Sequence, residues 1–146
     1  MKTELLGDLK LNRKSYEKKL LDSIKENIYQ NERYGVNFTV AIGATCSDVD
    51  MESFGSLIRE SDKFILLTDH ICCIVFPFTN SAQGIKAASN LLSKFEMKFF
   101  SEKIYLAIVN ANDCETPEHQ IQKLFDVLKF SITNGMENMP LDNVSF

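Results

Sequence analysis

Along the chain, apolar residues first fall into a helical rhythm. Tyr16, Leu20, Leu21, Ile24 and Ile28 recur every three or four positions, with Glu17, Lys18, Lys19, Lys25 and Glu26 between them. This predicts a helix from about Ser15 to Tyr34-Gly35, where glycine suits the left-handed position past a helix end. The mixed residues before it, Lys2–Lys14, read as an arm or a short extra helix. Phe38–Ala44 is a compact, β-branched apolar run and predicts a buried strand. Thr45–Asp50 is polar and turn-like, and leads into a short helix at about Met51–Glu60 with Phe54, Leu57 and Ile58 inward. Phe64–Leu67 and Ile71–Phe76 flank the polar Thr68-Asp69-His70, the pattern of a β-hairpin whose second strand Pro77 stops. Ser81 then caps a helix through about Phe95, with Ile85, Ala88, Leu91, Leu92 and Phe95 on one face. Ile104–Val109 is a further strand. Thr116-Pro117-Glu118 starts a last helix that carries Ile121, Leu124, Phe125, Leu128 and Ile132 and closes at Gly135. The stretch from Met136 onward reads as weakly ordered.

Without the first and last helices the order is βαββαβ. That is the ferredoxin-like, or palm-type, α+β arrangement: one antiparallel sheet with helices on one or both faces. Many unrelated functions use it, so chemistry has to come from particular residues.

Composition narrows the choices. The chain has 146 residues, 45% of them hydrophobic and 25% charged, enough for one domain with a real core. Its net charge is −4, unevenly spread: residues 1–34 carry eight Lys/Arg against six Asp/Glu, and residues 35–146 eight against fourteen. A general nucleic-acid binder needs a basic face, so a polymer partner is not expected. No apolar run has the length of a membrane span and Met1–Lys10 lacks a signal-peptide core, so a cytoplasmic protein without membrane attachment is expected. Cys46, Cys72, Cys73 and Cys114 form no CxxC pair, and His70 and His119 no HExxH, so neither metal nor cofactor is expected. Cys72 and Cys73 should point to opposite faces of a strand as reduced, partly buried thiols. His70 lies two positions from Cys72, but a strand edge offers no third group to orient a catalytic pair.

The hairpin region carries a resemblance. Arg59-Glu60-Ser61-Asp62, then Lys63–Leu67, a five-residue turn window Thr68-Asp69-His70-Ile71-Cys72, then Cys73-Ile74-Val75-Phe76-Pro77 and Thr79, resembles the GGDEF family of diguanylate cyclases. Its members typically read RESD, five residues, GGDEF, a hydrophobic strand and Pro-x-Thr, and the match from Arg59 to Thr79 needs no gap. The Ala-rich helix, the strand Ile104–Val109, the helix from Pro117 ending in Asn-Gly, and Glu32-Arg33-Tyr34-Gly35 before an apolar strand are similar to the rest of the family's pattern. The resemblance implies an arm (residues 1–14), a GGDEF-like domain (residues 15–138) and a tail (residues 139–146).

It also implies that the signature turn is degenerate. Thr68, Asp69, His70, Ile71 and Cys72 stand where the family has two glycines that admit a nucleotide triphosphate and acids that serve metal binding and catalysis. The first strand should end in an Asp that helps hold Mg²⁺, yet Ala44–Cys46 contains no acid, and Asp48-Val49-Asp50 comes several residues late. The stretch from Ala44 to Arg59 is also too short for the guanine-contacting helices. The resemblance therefore implies a domain that is not an enzyme.

Arg59-x-x-Asp62 survives, at the offset where the family's inhibitory site binds cyclic di-GMP. An arginine fork can grip phosphate or the guanine Hoogsteen edge, and an aspartate can accept from guanine N–H groups. Leu66 stands where many binding-competent members carry a second Arg, and no other basic neighbour is visible. A plainer alternative makes Arg59 a solvated helix-end residue and Asp62 a turn residue. The expected function is a catalytically inactive GGDEF-like signalling domain that senses cyclic di-GMP or regulates a partner protein. Two alternatives remain: a nucleotide-independent interaction module, with the basic Lys10–Lys25 region as a dimer or partner surface, and an active cyclase.

Overall fold

The computed structural model describes residues 2–142. The first helical element starts well before Ser15. Helix α1 spans Lys2–Ser23 and α2 spans Lys25–Tyr34, with a break at the fully buried Ile24. Residues 2–14 are thus helix rather than a loose arm, and Leu5 and Leu9 are buried in the core. Leu5, Leu9, Tyr16 and Leu20 follow one another at helical intervals and so share a face. Gly35 closes α2 at φ 68°, as its position suggests, with its N–H donating to the Asn31 carbonyl.

Five strands form one sheet: β1 Phe38–Ala44, β2 Lys63–Thr68, β3 Ile71–Pro77, β4 Tyr105–Asn110 and β5 Pro140–Asp142, in the order β2-β3-β1-β4-β5. The first four are antiparallel throughout and give the expected α+β, ferredoxin-like order. The fifth corrects two expectations. The sequence predicts a weakly ordered tail and a wholly antiparallel sheet, but residues 140–142 form β5, which pairs parallel to β4. Asn138 anchors it, its backbone N–H donating to the Ile104 carbonyl and its side-chain oxygen accepting from Ile104 N–H, both at 2.8 Å. Leu141 then enters the core. Positions 143–146 of the expected tail lie outside the described residues.

Between β1 and β2 the expected helix at 51–60 shrinks to a 3-10 turn, Met51–Ser56, with Phe54 buried. Helix α3 (Ser81–Lys98) is capped by Asn80 rather than Ser81. The Asn80 side chain accepts from Gln83 N–H while the Gln83 side chain accepts from Asn80 N–H. Helix α4 (Pro117–Thr133) starts at the Thr116 cap, whose side chain accepts from His119 N–H.

Burial on both sheet faces explains why the strands read as unbroken apolar runs. Val40, Ile42, Cys73, Val75, Ala107 and Val109 face α1 and α4. Ala41, Cys72, Ile74, Phe76, Leu106 and Ile108 face α3 and the 3-10 turn, where Phe54 and Phe95 stack at 5.1 Å. The adjacent cysteines therefore do point to opposite faces. Arg13 ties α1 to α4: its Nη2 donates to Asp126 at 2.7 Å and to the Gln122 carbonyl at 2.8 Å, and the guanidinium lies over Phe125.

Candidate functional site

Two clefts open on the sheet's flank, and the two sequence motifs sort between them. Arg59 and Asp62 sit in the connection into β2, folded on each other. Asp62 N–H donates to the Arg59 carbonyl at 3.0 Å, and Arg59 N–H donates to Asp62 Oδ2 at 2.9 Å. The guanidinium then closes a fork, with Nε 3.1 and 3.0 Å from the two carboxylate oxygens and Nη2 2.8 Å from Oδ1. Asp62's side chain is only 1% exposed while that of Arg59 is 50% exposed. The hydrogen bonds that Arg59 donates to Asp62 raise its pKa further, so the fork stays cationic. Asp62 is engaged in orienting Arg59, which changes its expected part: both carboxylate oxygens are taken up by Arg59. The guanidinium lies 5.7 Å from the centre of the Phe76 ring.

Both residues line a cleft of about 320 Å³ between this connection and α3. Opposite them stand Gln83, Lys86, Asn90 and Lys94. Lys94 Nζ donates to the Leu57 carbonyl at 3.3 Å, drawing the two walls together. Lys86, Asn90 and Lys94 are four residues apart on an exposed helix face, so α3 presents them as one row. The cleft thus holds three cations against the single carboxylate of Asp62. This corrects the expectation that Arg59 has no basic neighbour. The missed signal was the spacing 86–90–94, which looks like any solvated helix face until the wall opposite is known.

At the mouth of the cleft lies Phe78, 71% exposed and at φ 58°. A left-handed backbone costs a bulky L-residue about 1–2 kcal/mol. The turn is held by a buried polar network. Thr79 Oγ1 donates to the Phe76 carbonyl at 2.7 Å and lies 3.0 Å from Thr39 Oγ1. Asn110 Nδ2 donates to Thr39 Oγ1 at 2.8 Å and to the Thr79 carbonyl at 3.0 Å.

The second cleft, about 550 Å³, gathers Asp48, Asp50, Glu52, Asp69 and His70 between the end of β1 and the hairpin turn. In the hairpin, Thr68 pairs with Ile71, leaving Asp69-His70 as the exposed loop, and a register shift between Leu66 and Thr68 adjusts the strand behind it. His70 N–H donates to Thr68 Oγ1 at 3.0 Å. Neither loop residue has a positive φ. Ile71 and Cys72 are buried, and burial pushes the Cys72 thiol up to about 12, so no thiolate forms beside His70. At the end of β1, Thr45 donates to the Lys103 carbonyl at 2.6 Å, and Asp50 accepts from Glu52 N–H to cap its own turn. Among the described residues no three His, Cys, Asp or Glu side chains converge as metal ligands would.

No protein-family model matches the sequence, and no curated protein matches it. Solved structures do. The GGDEF domain of DgcB from Caulobacter crescentus, in complex with c-di-GMP, superposes with TM-score 0.69 at 9% identity, over 88% of this chain and 91% of that one. The chain has the GGDEF-domain fold. The GGDEF domain of TpbB (YfiN) from Pseudomonas aeruginosa matches with TM-score 0.65 at 12% identity, over 90% of this chain and 88% of that one. The diguanylate cyclase SiaD from the same organism, in complex with its activator SiaC, matches with TM-score 0.67 at 12% identity, over 86% of this chain and 57% of that one. On this GGDEF-like frame, Thr68–Cys72 forms the hairpin turn and the start of β3. Arg59 and Asp62 lie on the other side of β2's entry, beside α3. No helix among the described residues is long and apolar enough to cross a membrane.

Proposed function

We propose that this GGDEF-like domain is catalytically inactive and works in signalling by binding cyclic di-GMP in the cleft beside Arg59. The observation that carries the reading is the company Arg59 keeps. A preset guanidinium fork faces Lys86 and Lys94 across a cleft on a body that is otherwise acidic. Three cations suit a ligand with two phosphate charges, and the outer edge of the Arg59 fork is free of Asp62 to meet a phosphate or a guanine edge. The cleft volume lies at the small end of ligand sites, about 300–1,000 Å³. It would hold part of a cyclic dinucleotide and leave the remainder in solvent.

Inactivity rests on the second cleft. Its four carboxylates belong to caps and loops, and a triphosphate brought there would meet like charge with no metal pair to offset it. Isothermal titration with cyclic di-GMP is expected to give saturable binding that Arg59→Ala abolishes and Lys86→Ala weakens. A flat titration at high ligand concentration rules out the receptor role. Incubation with GTP and Mg²⁺ or Mn²⁺ is expected to release no pyrophosphate.

A second reading, regulation of a partner protein, is favoured by one observation. On α1, Leu11 is 83% exposed among the exposed Lys10, Lys14 and Lys18. Light scattering over a concentration series tests the self-association version; a strict monomer removes it.

A further inference from the structure

The cleft holds two aromatic rings, and only one of them is available. Phe76 is 2% exposed and lies beneath the Arg59 guanidinium, whereas Phe78 is 71% exposed at the rim. Nothing in the fold asks for a ring there. Phe78 makes no core contact that burial would reward, and its φ of 58° is one that glycine or asparagine adopts readily and a bulky aromatic does not. The turn is nonetheless overdetermined. Pro77 precedes it, and the buried Thr39, Thr79 and Asn110 side chains fix the residue that follows. A strained residue held rigidly at the mouth of a ligand-sized cleft points to a use for its side chain.

The geometry points to Phe78 as the stacking platform for a purine base of the nucleotide held at Arg59. The inference rests on the reading of the cleft given above and adds to it the surface that would grip the ligand's base. Phosphates carry the charge that Arg59, Lys86 and Lys94 attract. A purine also has a flat apolar face, which gains from a rigid ring whatever its edge pattern. Because the left-handed turn fixes the backbone, the ring has only its own two side-chain torsions to lose on binding.

The test is titration of cyclic di-GMP into the wild-type chain, Phe78→Asn, Phe78→Tyr and Arg59→Ala, each checked by thermal unfolding. Asparagine tolerates the left-handed backbone, so Phe78→Asn is expected to unfold at or above the wild-type temperature. Its Kd is expected to rise about 5- to 150-fold, which is the loss of ~1–3 kcal/mol measured per stacked base. Phe78→Tyr keeps the ring and is expected to bind within about twofold of wild type. In the wild-type complex the guanine H8 proton should shift upfield through the ring current of Phe78, a signature that folding effects do not produce. Undiminished binding by Phe78→Asn, or an unshifted H8 in the wild-type complex, overturns the role of Phe78. If Arg59→Ala still loses binding in that case, the reading of the cleft stands. A flat wild-type titration overturns both.

Discussion

Asp62 and Thr79 show how much of this site is decided by single side chains that act through a neighbour. The Asp62 side chain is buried and fixes the fork of Arg59, so its loss would free the arginine and leave the cleft's three cations in place but unaimed. Thr79 holds the turn that carries Phe78. Thr79→Val keeps the shape and removes the hydroxyl, so the buried Phe76 carbonyl and Thr39 hydroxyl lose that partner. The expected loss is about 1–3 kcal/mol, the usual range for an orphaned buried polar group, read by urea denaturation. Full stability in the valine variant would show that the network does not hold this turn. Arg59, Asp62 and Thr79 stand out in the sequence because they match the resembled family's pattern at fixed offsets from the hairpin. Lys86, Lys94 and Asn110 did not. They reach the site through packing between elements distant in sequence, and an exposed lysine on a helix looks the same with or without a wall opposite it.

At the scale of elements, α3 is seated on β1 by Gly84. A Cβ built there would stand 2.6 Å from Thr39 Oγ1 and 2.7 Å from its methyl carbon, too close for any real contact. Gly84→Ala must therefore push α3 off the sheet or turn Thr39 away from Asn110. It is expected to destabilise the fold by about 1–3 kcal/mol despite alanine's better helix propensity. A more stable alanine variant would mean that α3 sits less tightly than the distances show. Because α3 supplies one wall of the cleft, the same substitution should weaken ligand binding. Strands β1 to β4 and α4 were legible because burial on both faces, a Thr-Pro-Glu start and a glycine stop leave local marks. The early turns of α1 were not, since Leu5 and Leu9 alone show through a polar stretch. Neither was β5, whose three residues are too few to set up a period. The helix expected at 51–60 failed for the opposite reason: Phe54, Leu57 and Ile58 have helical spacing, but Asp50 caps a turn too short to continue.

The whole molecule divides its charge. The β1–hairpin cleft is acidic, while the Arg59–α3 cleft is basic within a chain of net charge −4. This arrangement favours an anion on one side and disfavours it on the other, and the attraction should fade as salt rises. The sheet also shapes the response to alkali. Cys72 is fully buried and its pKa is pushed up to about 12 from an ordinary value of 9.0, first by burial. The unfolded chain ionises this thiol earlier than the folded one. The stabilisation is therefore complete below about pH 9 and is lost as the pH climbs toward about 12. Burial pushes the neighbouring Cys73 thiol well up too, so thermal unfolding across that window is expected to show a falling midpoint that Cys72→Ala lessens and does not abolish.

Whether the chain is a cyclic di-GMP receptor turns on whether the ligand enters the cleft beside Arg59. The most direct measurement is a two-dimensional ¹H–¹⁵N spectrum of the wild-type chain titrated with cyclic di-GMP. The expected result is a saturable set of shifts at Arg59, Asp62, Phe78, Lys86 and Asn90, with Asp48–Glu52 and Asp69–His70 unmoved. Shifts centred on the Asp48–Asp69 cleft, or none at all, would contradict it.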